Sequence, residues 1–251
     1  MKPENEIWND LRRLTPARIG LRRAGASVAT RDMLDFQLAH ARARDAVHAP
    51  LDEAKLAADL AGLGAPVIAT ASAAGDRQTY LMRPDLGRQL VAGADAALKA
   101  HRGDFDVVFV IADGLSARAV ALHAQPVLSR AIPALRAGDW KIAPLVIVRY
   151  GRVAVGDVVA ATLSAECAVV LIGERPGLSA PDSMGAYLTW QPQAQTTDAE
   201  RNCISNIRPE GIDYESASFK LTHLLRAMRA RGLSGVALKD DSDRLLIGEG
   251  S

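Results

Sequence analysis

The chain has 251 residues, 49% of them hydrophobic and 24% charged, with 30 basic against 29 acidic side chains. At roughly 100–200 residues per domain this is one large or two small domains, able to bury about 70% of the unfolded chain's surface without disulfides or structural metal. The formal net charge of +1 removes the broad attraction on which non-specific nucleic-acid and membrane-surface binders rely, so only a local patch could serve such a role.

Cys167 and Cys203 are the two cysteines. They cannot build a multi-bridge secreted framework, and no Cys/His cluster has zinc spacing. The first thirty residues carry Glu4, Glu6 and a series of arginines (Arg12, Arg13, Arg18, Arg22, Arg23) instead of an apolar signal region. No run approaches the about 18 apolar residues of a membrane span. A soluble, reduced, cytoplasmic protein is expected, and with aromatics at 4% its core should be aliphatic.

After the arginine-studded start, Thr30 is placed to cap a helix over Arg31–His48 with Leu34, Leu38 and Ala41 on one face, and Pro50 ends it. Asp52 caps a second helix through Leu63, closed by Gly64-Ala65-Pro66. A hairpin is expected next, with Gly75-Asp76 turning between Val67–Thr70 and Gln78–Met82. Pro84 suits the first turn of a helix running to about Arg102. Asp106–Ala112 (DVVFVIA) is apolar, β-branched and too short for a helix, and so reads as a buried strand. Ser116 caps a helix towards Arg136, which Pro126 and Pro133 should shorten or kink. Leu145–Tyr150 is a second buried strand, Val155–Ser164 a short helix, and Cys167–Ile172 a third buried strand. Residues 184–190 alternate as another strand, and Asp213–Arg231 is a final helix with Phe219, Leu221, Leu224, Leu225 and Met228 inward.

Three apolar strands separated by helices define the fold class as α/β, a Rossmann-like, predominantly parallel sheet with helices on both faces. A small, mainly helical N-terminal region precedes it. The division expected is 1–82 for that region, 83–238 for the α/β domain and 239–251 for a polar C-terminal tail, with no internal repeat.

Ligands of open α/β sheets bind beyond the carboxyl ends of the strands. Three such ends are polar or glycine-rich: Asp113-Gly114-Leu115-Ser116, Tyr150-Gly151-Arg152-Val153 and Gly173-Glu174-Arg175-Pro176-Gly177. Taken singly, Asp113-Gly114 also reads as an ordinary turn before a capped helix, and Glu174-Arg175 as a solvated pair. Their convergence on one sheet edge favours a binding site. Other motifs fail. Gly62-Leu63-Gly64 follows a helix and lacks the third glycine of a dinucleotide fingerprint, and there is neither a phosphate-binding loop nor a nucleophile elbow. The five histidines have no metal spacing and read as surface or packing residues. Cys203 falls among polar residues in an expected loop, with no histidine near it in sequence to activate a thiolate. The residues alone describe a ligand-binding sheet without a defensible acid, base or nucleophile.

Seven stretches, in order, resemble the small (light) subunit family of ethanolamine ammonia-lyase. They are Leu14–Gly25 (LTPARIGLRRAG), Leu34–Asp45 (LDFQLAHARARD), Arg83–Arg88 (RPDLGR), Ile111–Ser116 (IADGLS), Val148–Val153 (VRYGRV), Gly173–Leu178 (GERPGL) and Arg201–Ile207 (RNCISNI). The resemblance runs from about residue 8 to residue 237. It implies an adenosylcobalamin-dependent enzyme that converts ethanolamine to acetaldehyde and ammonia by a radical mechanism. In that family a large subunit, a TIM barrel, holds the substrate and the radical-handling side chains, and the small subunit shares the cofactor. Cofactor chemistry with protein supplying position and shielding would explain the missing catalytic dyad. The resemblance puts cofactor contacts on Val153, Glu174 and Cys203, gives this subunit no catalytic residue or metal ligand of its own, and implies that residues 1–82 touch the large subunit.

Glu174 would accept hydrogen bonds from the amide rim of the corrin, Val153 would pack apolar surface, and Cys203 would offer backbone groups and a weak S–H. The Asp-x-His-x-x-Gly motif of base-off cobalamin proteins is absent, in keeping with base-on binding. Enteric members carry a longer N-terminal extension associated with a bacterial microcompartment, whereas here Met1–Ile7 alone precede the family-like region. Two other classes are set against this reading: a stand-alone cobalamin or nucleotide carrier, and a structural assembly subunit.

Overall fold

Every residue from Val107 to Ala112 is fully buried, because this strand lies inside a sheet covered on both faces. The computed structural model describes residues 4–15 and 17–242. Along the chain run α1 (Glu4–Arg13), a two-residue antiparallel pair β1 (Arg23–Ala24) and β2 (Ser27–Val28), α2 (Thr30–His48), α3 (Glu53–Ala61), β3 (Val67–Ala71), α4 (Arg77–Met82) and α5 (Ala94–Lys99). There follow β4 (Phe105–Ala112), α6 (Ala117–Arg136), β5 (Leu145–Arg149), α7 (Val155–Leu163), β6 (Ala165–Gly173), β7 (Met184–Trp190), β8 (Arg201–Ile207) and α8 (Tyr214–Arg231).

The main sheet has six strands in the order β3-β5-β4-β6-β7-β8. The first four are parallel, and β7 and β8 add an antiparallel edge. In β4 the two-residue period divides the core. Val107, Phe109 and Ile111 face a cluster with residues of α3, α6 and α8, whereas Val108, Val110 and Ala112 face residues of α5 and α7. Full burial of each Val or Ile contributes about 1.5–3 kcal/mol. The expected Rossmann-like α/β architecture is therefore present, with helices on both faces.

Several local expectations are corrected. Gln78–Met82 is not a strand: Asp76 caps α4, its carboxylate accepting from the Thr79 N–H at 2.9 Å. The turn signal of Gly75-Asp76 was in truth an N-cap signal. Val67–Ala71 instead pairs in parallel with β5, so the sheet takes one strand from before residue 83. The single helix expected from Pro84 is broken into a 3₁₀ turn at Leu86–Arg88 and α5, with Gly93 at φ +83° between them. Thr30 is the first helical residue of α2 and Ala29 takes the cap position.

α6 runs unbroken through both prolines. Pro133 and Leu122 are exposed, so carbonyls left unpaired by the prolines lie away from the sheet, while Val120, Ala124, Val127, Leu128, Ala131 and Leu135 anchor the opposite face. Cys203 sits in edge strand β8 and not in a loop. Most of the polar tail, residues 243–251, lies outside the described residues.

Candidate functional site

After β4 the chain crosses through α6 to β5 on one side, whereas after β6 it turns to β7 on the other. Adjacent strands whose connections diverge leave a crevice at their carboxyl ends. A cavity of ≈ 860 Å³ opens there. Leu115 lines it from the end of β4, Arg152, Val153 and Ala154 from the end of β5, and Ile172, Gly173, Glu174 and Arg175 from the end of β6. Tyr80 and Arg88, Tyr187 of β7, residues 194–198 and Arg201 complete the wall.

The strand ends meet closely. The Leu115 N–H donates to the Gly173 carbonyl at 2.9 Å. A Cβ on Gly173 would lie 2.1 Å from the Ser116 carbonyl oxygen. Gly114 holds φ +54°, and a Cβ there would lie 2.4 Å from the Gly173 oxygen. Only glycines let these two loops touch.

Asp113, which is buried, ties the end of β4 to that of β5 by accepting from the Tyr150 N–H at 2.6 Å. Burial pushes its carboxyl up to about 6, against the pull of Arg77 and the backbone donors. Both Arg77 and Arg152 lie over the buried Tyr80 ring, 5.0 and 4.4 Å from its centroid. Arg152 also donates to the Tyr80 carbonyl at 2.9 Å, while its buried Nε has no hydrogen-bond partner among the described residues. The backbone of Arg152 donates to Gly87 at 2.8 Å, which fixes the turn carrying Val153.

Glu174 is half-buried on the cavity wall. The Ser183 hydroxyl donates to its Oε2, and the Asn206 N–H approaches both carboxylate oxygens at 3.4 and 3.2 Å. Among the described residues it forms no ion pair, so the Glu174-Arg175 pair that the sequence suggests gives way to neutral donors. Val153 and Glu174 thus share one cavity. Cys203 does not line it. It lies exposed on β8 opposite Tyr187, which does. Desolvation of the Cys203 sulfur raises its thiol, the Tyr187 hydroxyl lowers it and Glu174 raises it.

The loop at 194–198 escaped sequence reasoning, although Thr197-Asp198-Ala199-Glu200 has capping-box spacing and would have marked an ordered turn. In the structure the Glu200 carboxylate accepts from both the Thr197 N–H, at 2.7 Å, and its hydroxyl, at 2.8 Å. Arg201, also missed, falls in a stretch expected as a loop and instead opens β8.

Among the described residues no group of three or more His, Cys, Asp or Glu is disposed to hold a metal ion, and no helix is long and apolar enough to cross a membrane. The cavity offers the carboxylates of Glu174 and Asp198, the guanidinium groups of Arg88, Arg152, Arg175 and Arg201, and apolar surface from Leu115, Val153 and Ile172. Charged and apolar groups of this kind suit a large ligand with polar groups at its rim.

Fold and cavity together define a doubly wound α/β protein with a ligand crevice at its topological switch point. The profile of the ethanolamine ammonia-lyase light chain matches residues 5–239. The ethanolamine ammonia-lyase small subunit of Ralstonia nicotianae is 52% identical over 247 residues, covering 97% of this chain and 92% of the relative. The small subunits from Pseudomonas fluorescens Pf-5 and Azotobacter vinelandii are 53% and 52% identical, over 94% of this chain and 87% and 89% of theirs. The chain belongs to the ethanolamine ammonia-lyase small-subunit family.

Proposed function

We propose that this chain is the small subunit of an ethanolamine ammonia-lyase and binds adenosylcobalamin at an interface with a large, catalytic subunit. The complex converts ethanolamine to acetaldehyde and ammonia. Family membership over residues 5–239, with relatives that carry the small-subunit name, is the observation that carries the reading.

The residues at the crevice fit the cofactor. A corrin is rimmed by amide side chains, which need acceptors for their N–H groups. Glu174 presents a carboxylate on the cavity wall with two neutral donors and, among the described residues, no ion pair. Val153 supplies apolar surface beside it. Cys203 stands one strand further out and reaches the site through Tyr187. Adenosylcobalamin, when bound, supplies the radical that starts the reaction. This chain's own residues orient the amide rim and exclude water, and none of them exchanges a proton with substrate.

The partner surface in this reading is the N-terminal region, residues 1–82. Leu34 and Leu38, the apolar stripe of α2, are 57% and 51% exposed, and Met33 and Phe36 beside them are exposed as well. Among the described residues α2 buries Ala43 and Ala46 alone. A stripe left uncovered on a chain of this family suits the large subunit. Of the arginines in this region, Arg12 donates to Ile19 and Gly20 carbonyls and Arg22 pairs with Asp32 at 3.2 Å. Both act within the chain, and the apolar stripe is the better candidate. We place the complex in the cytoplasm, with packaging into a microcompartment a separate property.

The test is titration of cobalamin into the co-purified large–small complex. Glu174→Ala should raise the dissociation constant about tenfold to a hundredfold, as expected for a charge-assisted hydrogen bond. Glu174→Gln, which keeps an acceptor oxygen, should retain part of the affinity. Wild-type affinity in the assembled Glu174→Ala complex would remove the cofactor role of this residue.

A further inference from the structure

We infer that Ser183 and Gly185 are positioning residues for Glu174, building a clasp that fixes the free edge of its carboxylate towards the crevice. The inference rests on the reading that Glu174 faces the cofactor.

Ser183 is buried and holds Glu174 twice. Its carbonyl accepts from the Glu174 N–H at 3.0 Å and its hydroxyl donates to Oε2. The Asn206 N–H completes the clasp from β8. Asn206 itself sits at φ +59°, a left-handed conformation that asparagine tolerates better than most residues. Two donors leave part of the carboxylate's acceptor capacity, about four lone-pair sites in all, directed elsewhere.

Gly185 explains why the side chain can lie where it does. Its φ is not in the left-handed region, so backbone freedom does not require glycine here. Space does. An added Cβ would come within 3.0 Å of Glu174 Oε1 and 3.4 Å of its Cγ, with the Tyr187 ring edge at 3.3 Å. The atom displaced first is the end of a flexible glutamate, not backbone.

The loop that presents Ser183 is itself anchored to α6. Ser116 Oγ donates to the Pro181 carbonyl at 3.1 Å, and His123 Nε2 donates to the Asp182 carbonyl at 2.9 Å. A carbonyl can only accept, so His123 carries its proton on Nε2 and takes the Tyr214 hydroxyl proton at Nδ1, 2.9 Å away. Arg118 adds an ion pair to Asp182 at 3.4 Å. Ser183 therefore meets Glu174 from a fixed point.

Two readouts on the large–small complex test the clasp. One is cyanocobalamin affinity by absorbance titration, and the other is hydrogen exchange at the Asn206 amide without cofactor. Ser183→Ala and Gly185→Ala should each raise the dissociation constant about threefold to tenfold while the melting temperature holds, and Ser183→Thr should restore affinity. Neither should add its full effect to Glu174→Ala. Asn206 exchange should quicken in Ser183→Ala and in Glu174→Ala alike. Wild-type affinity in both single variants, or full additivity with Glu174→Ala, overturns the positioning role. If Glu174→Ala binds normally, the cofactor reading fails, and the exchange data alone then decide the clasp. Unchanged Asn206 exchange in Ser183→Ala overturns it.

Discussion

The Arg201 guanidinium grips the Asp157 carboxylate through two hydrogen bonds of 2.7 Å, and both side chains are buried. Arg201 opens edge strand β8 and Asp157 lies in the first turn of α7, so the pair ties the last strand of the sheet to a helix packed under its centre. Thr189 of β7 accepts a further bond from Arg201 at 2.9 Å. Arg201 also lines the crevice, so the pair anchors one residue of the cavity wall to α7.

Asp157→Ala should lower the unfolding free energy by about 3 kcal/mol, since it removes the bidentate carboxylate from a buried guanidinium. Urea unfolding of the purified chain measures this. A loss below about 1 kcal/mol, the range of an exposed pair, would show that the pair is solvated in solution.

Asp113 should make stability fall as pH rises. Its folded carboxyl is pushed up to about 6 from 3.8 by burial. A group with a raised folded pKa contributes fully below its unfolded value and loses that contribution as pH climbs through the folded one. The span corresponds to about 3 kcal/mol. Unfolding measured at pH 4.5 and pH 7.5, wild type against Asp113→Asn, captures about 2 kcal/mol of it, because pH 4.5 already lies above the unfolded value. The variant should show the flatter profile, and parallel profiles would contradict the assignment.

Gly173→Ala should damage both fold and crevice. Its methyl would meet the Ser116 carbonyl oxygen at 2.1 Å and the Asp113 oxygen at 2.6 Å, both of them backbone. Overpacking of this kind costs about 1–3 kcal/mol. Gly185→Ala, whose methyl meets a flexible side chain, should leave the melting temperature unchanged. Equal losses in the two variants would contradict the distinction.

Much of this fold was legible in the sequence, and the exceptions share a cause. Val107–Ala112 and Cys167–Ile172 announce buried strands because burial on both faces leaves no polar position. β8 hides because only Arg201, Ile204 and Ile207 turn inward, with a register shift in its pairing to β7. That spacing is not the strand's period of two. Asp76 was ambiguous because one short carboxylate serves turns and helix caps equally. In the site, Val153 and Glu174 could be placed at the sheet edge from strand ends alone. Ser183, Gly185 and Arg201 could not, since each acts through a partner at least nine residues away, as Ser183 does through Glu174.

Cys203 should react slowly for an exposed thiol. Desolvation and the nearby Glu174 charge raise its pKa, and the thiolate is the nucleophile. Iodoacetamide labelling at pH 7 should lag behind a peptide carrying the same RNCISNI sequence. Labelling at the peptide's rate would contradict the shift.

Leu34→Asp with Leu38→Asp should leave the isolated chain folded, since neither side chain is buried in it. Co-purification with the large subunit should fall. Undiminished complex formation would remove α2 from the interface.

The most direct measurement is acetaldehyde release from ethanolamine with adenosylcobalamin, using this chain alone, a large subunit of the family alone, and the two co-expressed. A small subunit that shares cofactor binding and carries no substrate-handling residue predicts turnover from the co-expressed pair only. Turnover by this chain alone, or a large subunit equally active without it, would contradict the account.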